Sequence, residues 1–186
     1  MRVSREQVAL NRETILKAAS SLFRAHGYDA VTVADVMKAA GLTHGGFYGY
    51  FGSKDELIAQ TLAHVFAQGA IGETDLGRYA DGYLSRAHCD NVAGGCPTAA
   101  LASETVRQSA DARAAMADGL RAQIARLSEG SACPDAAAAR RAAIGGWAAM
   151  VGAVTLARLL DDRQLSDEVL EATRAWIHER TGARDT

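Results

Sequence analysis

Apolar residues recur at three- and four-residue spacing through most of the chain, and no strand-like alternation appears. Ile15, Ala18, Ala19, Leu22 and Phe23 make one face of a predicted helix from about Val8 to His26, and Gly27 stops it. Thr32 is placed to cap a short helix, Val33 to Ala40, with Asp35 in its first turn and Gly41 after it. Thr43 is expected to cap a third helix, His44 to Phe51. Ser53 and Glu56 form a capping-box pattern for a fourth, which reaches about Gln68 with Leu57, Ile58, Thr61, Leu62, Val65 and Phe66 inward.

Gly69 and Gly72 mark a boundary. Beyond it the pattern predicts a helix over roughly Thr74 to Cys89, then a glycine-containing loop to Cys96. Pro97 opens the next helix at the favoured first position. Three more follow, with Ser109, Asp135 and Ser166 as starts; the last ends near Thr181. The expected fold is all-α, with a first helical domain at 1–52, a connecting helix about 53–68, and a second helical domain at 69–186.

Composition narrows the classes without naming a function. Two prolines and a 48% hydrophobic fraction suit packed helices rather than a β-sandwich. Net charge is −2, and residues 1–60 hold seven basic against six acidic side chains, so charge alone does not indicate nucleic acid. The start, Met-Arg-Val-Ser-Arg-Glu, lacks the apolar core of a signal peptide. The longest uncharged run, Ala142 to Ala157, falls short of the roughly 20 residues a membrane span needs. A cytoplasmic protein with no membrane partner and reduced cysteines is expected.

Function enters through the three short helices. Two of them flank a glycine turn, which is the arrangement of a helix-turn-helix. The helix after Thr43 is short enough to lie in a major groove, with its first residues toward base edges and phosphates. The start of the next helix offers free N–H groups and Lys54 as a phosphate clamp.

From Arg12 to Leu57 the chain resembles the TetR family of repressors. Gly27, Thr32, Val33, Asp35, Val36, the run Ala39-Ala40-Gly41-Leu42-Thr43, Gly45, Phe47-Tyr48, Tyr50-Phe51 and Ser53-Lys54 carry the resemblance. It implies a homodimer on an operator in double-stranded DNA, joined through its last two helices and governed by a small-molecule effector. It implies no enzymatic activity, cofactor or metal. By position, Thr32, Thr43, Tyr48, Tyr50 and Lys54 fall near the DNA backbone, and His44, Gly46 and Phe47 at positions that read bases or line the groove. Gly46 and Gly49 depart from the pattern. Each helix-interior glycine costs about 1 kcal/mol against alanine, and neither reads a base. Backbone contacts and DNA shape are therefore expected to outweigh direct readout.

The second domain needs a dimer surface and a pocket. Gly145, Gly146, Ala149, Gly152 and Ala153 allow close helix approach. Phe66, Tyr79, Tyr83, Cys96, Met116, Leu120, Trp147 and Met150 are pocket candidates. The segment around Gly95-Cys96-Pro97, with Leu101 and Glu104 in the helix it starts, is similar to one branch of the family. Some members of that branch sense electrophiles or oxidants through a cysteine here. The resemblance makes Cys96 a candidate thiol sensor, because a thiol at a helix N-terminus is expected to ionise more readily, and Cys89 its resolving partner. The bland alternative, a buried Cys96 acting as a small hydrophobe, stays open. His88, Cys89 and Cys96 do not complete a four-ligand metal pattern. A cysteine-dependent enzyme using Cys96 and His88, and a scaffold that has lost DNA recognition, remain the competing readings.

Overall fold

The computed structural model describes residues 4–69 and 72–181, and among them only helices and their connections occur. They are α1 (Arg5–His26), α2 (Val33–Ala39), a 3₁₀ segment (His44–Gly49), α3 (Lys54–Gly69), α4 (Leu76–Tyr83), α5 (Arg86–Asp90), α6 (Pro97–Thr105), α7 (Ala110–Glu129), α8 (Ala136–Leu159) and α9 (Arg163–Thr181).

Three local outcomes differ from the sequence expectation. The stretch expected as one helix to Cys89 is two, because Ser85 caps α5 by accepting the His88 N–H (3.2 Å). The recognition segment is 3₁₀ rather than α, and Thr43 makes no side-chain cap bond; three glycines in six residues leave the tighter, weaker turn. The last helix starts at Arg163 behind Asp162, whose carboxylate accepts from Gln164 N (2.9 Å). Ser166 is not its cap: buried inside α9, it donates to the Ala157 carbonyl (2.8 Å).

The chain divides into two compact units. The first runs to Gln68 and also takes Ala100–Gly119; the second is Gly69–Ala99 with the chain from Leu120 onward. The break at Gln68 coincides with the glycine boundary, whereas 100–119 packs with the N-terminal helices rather than with the rest of the second domain.

In the first unit, Ile15, Ala19, Val36, Met37 and Leu57 are fully buried, with Phe23, Phe47 and Phe51 at 1–2% exposure. Phe66 seats against Gly119, where a Cβ would lie 2.2 Å from its ring. In the second unit, one stripe of α8 (Ala143, Gly146, Trp147, Met150, Ala153, Val154, Ala157) packs inward. Leu76 sits over Gly146, and Leu170 and Ile177 of α9 join the same core. Polar ties hold α9 in place: Arg86 of α5 pairs with Asp167 and donates to Ser166 Oγ (3.0 Å), and His178 meets Asp81 of α4 at 2.8 Å. By length and composition α8 alone among the described helices is apolar enough to cross a membrane.

Candidate DNA-binding surface and effector core

The frame of the helix-turn-helix is built from caps and two left-handed glycines. The Thr32 hydroxyl accepts from Asp35 N (3.1 Å) and donates to the Asp35 carboxylate (2.6 Å), which also accepts the Thr32 N–H (2.9 Å). These bonds from Thr32 hold the Asp35 carboxyl below the usual carboxylate range. Gly41, at φ +70°, lets Leu42 N reach back to the Met37 carbonyl (2.9 Å) and ends α2 sharply. At α3, Ser53 Oγ accepts from Glu56 N (3.1 Å), and Glu56 accepts from Gly52 N (2.7 Å).

On this frame Thr43, His44, Gly45, Tyr48 and Gly49 are exposed, Tyr48 at 73%. Thr32 is exposed but serves first as the cap of α2. Gly46 is half-buried. Phe47 corrects the expectation that its side chain faces the groove: it is 1% exposed and stacked on Phe51 (5.7 Å), so it braces the segment from inside. Tyr50 is half-buried, and its hydroxyl accepts from Asn11 Nδ2 of α1 (2.8 Å). Lys54 is half-buried, and its ammonium donates to the Tyr28 carbonyl (2.6 Å).

Tyr28 and Asn11 belong to this frame and had no signal of their own in the sequence; Glu104, seen only as part of a helix pattern, joins them. Tyr28 is 1% exposed and packs edge-on to Phe23 (5.3 Å). Its N–H donates to Glu104 Oε2 (2.8 Å). Its hydroxyl donates to Thr105 Oγ1 (3.0 Å), which passes its own proton to the Leu101 carbonyl (2.8 Å). Burial raises the Tyr28 phenol to about 12, so it stays protonated and donating.

The second unit gathers some of the pocket candidates and not others. Tyr79, Tyr83 and Trp147 lie within 5.2–5.9 Å of one another, with Met150 fully buried in the same core and Leu120 against it. Phe66 and Met116 lie in the first unit. Several polar atoms here are buried without a hydrogen-bond partner, among them Trp147 Nε1, Thr98 Oγ1, Gln123 Nε2 and Arg158 Nη1.

Cys96 sits just before α6, 9% exposed, and its N–H donates to His88 Nε2 (3.2 Å). His88 Nδ1 donates to the Tyr83 carbonyl (2.6 Å), so its two partners fix the neutral tautomer. Burial pushes the His88 imidazole below its ordinary pKa. Cys89 is also a buried free thiol; Arg86 approaches its sulfur at 3.8 Å. It borders a cleft of about 370 Å³ with Arg86, Asp90, Val92, Arg158 and Arg163, none of them a residue the sequence nominated for the pocket. No group of three potential ligands for a metal occurs among the described residues.

A family model described as bacterial regulatory proteins, tetR family, matches residues 15–61. The chain is 34% identical over 56 residues to the HTH-type transcriptional repressor KstR2 of Mycolicibacterium smegmatis, covering 30% of this chain and 27% of that protein. It is 30% identical over 130 residues to the HTH-type transcriptional repressor NemR of Escherichia coli K12, covering 63% and 65%. The alignments thus span about a third or less of several curated relatives and just under two thirds of NemR. The fold matches the crystal structure of E. coli NemR in its reduced form, with TM-score 0.71, 24% identity, and 91% and 95% coverage. A TetR transcriptional regulator from Legionella pneumophila gives 0.74 at 19% identity, covering 96% and 98%. Residues 15–61 thus carry the helix-turn-helix domain of the TetR family of bacterial regulatory proteins, and the chain as a whole has the fold of TetR-family regulators.

Proposed function

We propose that this protein is a dimeric repressor that binds operator DNA in the cytoplasm and leaves it when an effector reaches the second unit. The observation that carries the reading is the exposed group Thr43, His44 and Tyr48, held by a capped and fully packed frame with Lys54 at the start of α3. The names of KstR2 and NemR as repressors support the sign of regulation. Contacts there are of the backbone-clamping kind, since the surface offers His44 and glycines rather than forked side chains.

The last two helices support a dimer. Ile144, Leu156 and Leu159 are 44%, 55% and 77% exposed along α8, opposite its buried stripe, and a Cβ at Gly145 or Gly152 would meet nothing within 4 Å. Leu165 and Trp176 expose 42% and 39% on α9. A second copy covering this stripe accounts for the apolar outer face of α8 and places two recognition segments for successive major grooves, about 34–36 Å apart.

For the effector, the aromatic group Tyr79, Tyr83 and Trp147, with its unpartnered buried donors, supports a flat ligand carrying hydrogen-bond acceptors. Cys96 at the head of α6, and the reduced form named for the NemR crystal structure, support the thiol-responsive variant. A gel shift with the DNA flanking the protein's own coding region tests the repressor reading, which fails if no sequence there outcompetes random DNA at fixed salt. Release by mild oxidant that survives Cys96→Ser removes the Cys96 switch.

A further inference from the structure

Tyr28 is held at three points and offers a fourth. Glu104 takes its N–H, Thr105 its hydroxyl and Phe23 its ring, which leaves the carbonyl facing Lys54. The approach is close enough to demand glycine next door. Gly27 has φ +80°, and a Cβ there would lie 2.7 Å from Glu104 Oε1. Both Glu104 and Thr105 lie in the last turn of α6, and Thr105 is anchored one turn back on Leu101. The carbonyl that Lys54 grips is thus fixed by α6, not by the helix-turn-helix alone.

An ammonium has three N–H groups. One goes to Tyr28, and the other two stay available to a phosphate at the start of α3. A lysine tethered in this way has already given up most of its rotamer freedom, so a phosphate contact orders it no further.

We infer that Glu104 is a positioning residue for DNA binding: through Tyr28 it holds the Lys54 ammonium where it meets the phosphate backbone. This inference rests on the DNA-binding reading above. Movement of the α6 end that takes Glu104 off Tyr28 removes the clamp without touching any group that faces DNA.

The test uses the full-length protein and a random-sequence 30-base-pair duplex, because a phosphate contact needs no operator. Fluorescence anisotropy is read at several salt concentrations for wild type, Lys54→Ala, Glu104→Ala, Glu104→Gln and the Lys54→Ala/Glu104→Ala double variant. Glu104→Ala is expected to weaken binding about 10-fold and to flatten the log–log salt slope by about 0.9, the loss of one phosphate contact. Lys54→Ala should do the same, and the double variant should equal Lys54→Ala alone. Glu104→Gln keeps an acceptor for Tyr28 N–H and should restore the slope. The inference is overturned if Glu104→Ala weakens binding with the slope unchanged, or if its cost persists undiminished in the Lys54→Ala background. Either result marks general damage to the fold. A wild type with no salt-dependent binding overturns the DNA-binding reading itself, and this inference with it.

Discussion

Acidification should destabilise the second unit through His88. At neutral pH the imidazole uses both nitrogens: Nδ1–H donates to the Tyr83 carbonyl, and Nε2 accepts the Cys96 N–H. Protonation puts a hydrogen on Nε2, so the second bond is lost and two N–H groups face each other. The surroundings do not welcome the charge. The Tyr83 ring lies 4.4 Å from the imidazole centroid, the Arg158 guanidinium donates to the His88 carbonyl (3.3 Å), and among the described residues no carboxylate bonds to the ring. Burial is the main cause of the lowered pKa, Arg158 lowers it further, and the Tyr83 carbonyl opposes both. Because the folded value lies below the unfolded one, the stabilisation is complete above the unfolded pKa of about 6.5. It is lost as pH falls through the folded value. The size follows from one broken hydrogen bond with its donor left unpaired, about 1–3 kcal/mol, against a total stability of about 5–15 kcal/mol. Urea unfolding at pH 7.5 and 5.5 reads it, comparing wild type with His88→Gln, which keeps an acceptor but does not titrate. Over that interval one histidine with an unfolded pKa of about 6.5 can shift stability by at most about 1.4 kcal/mol, so wild type should lose up to about 1.4 kcal/mol more than the variant. The other four histidines are common to both proteins and cancel in the difference. Equal pH dependence in the two would refute the assignment.

The remaining predictions concern the dimer stripe and the recognition segment. Leu156→Glu with Leu159→Glu places charges where a partner would bury two leucines, each contributing about 1.5–3 kcal/mol when fully covered. Sedimentation should then show the dimer dissociating at concentrations at least 10-fold higher, with the monomer's circular dichroism unchanged; a wild-type monomer at micromolar concentration would sink the interface. Gly46→Ala should raise stability by about 0.4–1 kcal/mol, because the new methyl meets Thr43 Oγ1 at 3.7 Å and Met37 Cε at 3.9 Å, ordinary contacts. A lower denaturation midpoint would show that the 3₁₀ segment needs glycine there.

The legible parts of this chain were those governed by neighbours in sequence. The Thr32–Asp35 capping box, the Gly41 stop and the Ser53–Glu56 cap each close within four residues, and each stands where the pattern placed it. Periodicity told α1, α3 and α8 apart for the same reason. Errors came where a distant partner decides. Phe47 sits amid exposed residues along the chain, yet Phe51 and the core of the first unit claim its ring. Ser166 has the look of a cap, but Ala157, nine residues earlier, takes its proton, while Asp162 caps α9. Glycine content marked the recognition helix as weak but not how the weakness resolves, into 3₁₀ geometry rather than disorder. Glu104 was read only as part of a helix pattern, 76 residues from the Tyr28 N–H it holds. The helix that carries Glu104, α6, starts at Pro97, directly after Cys96.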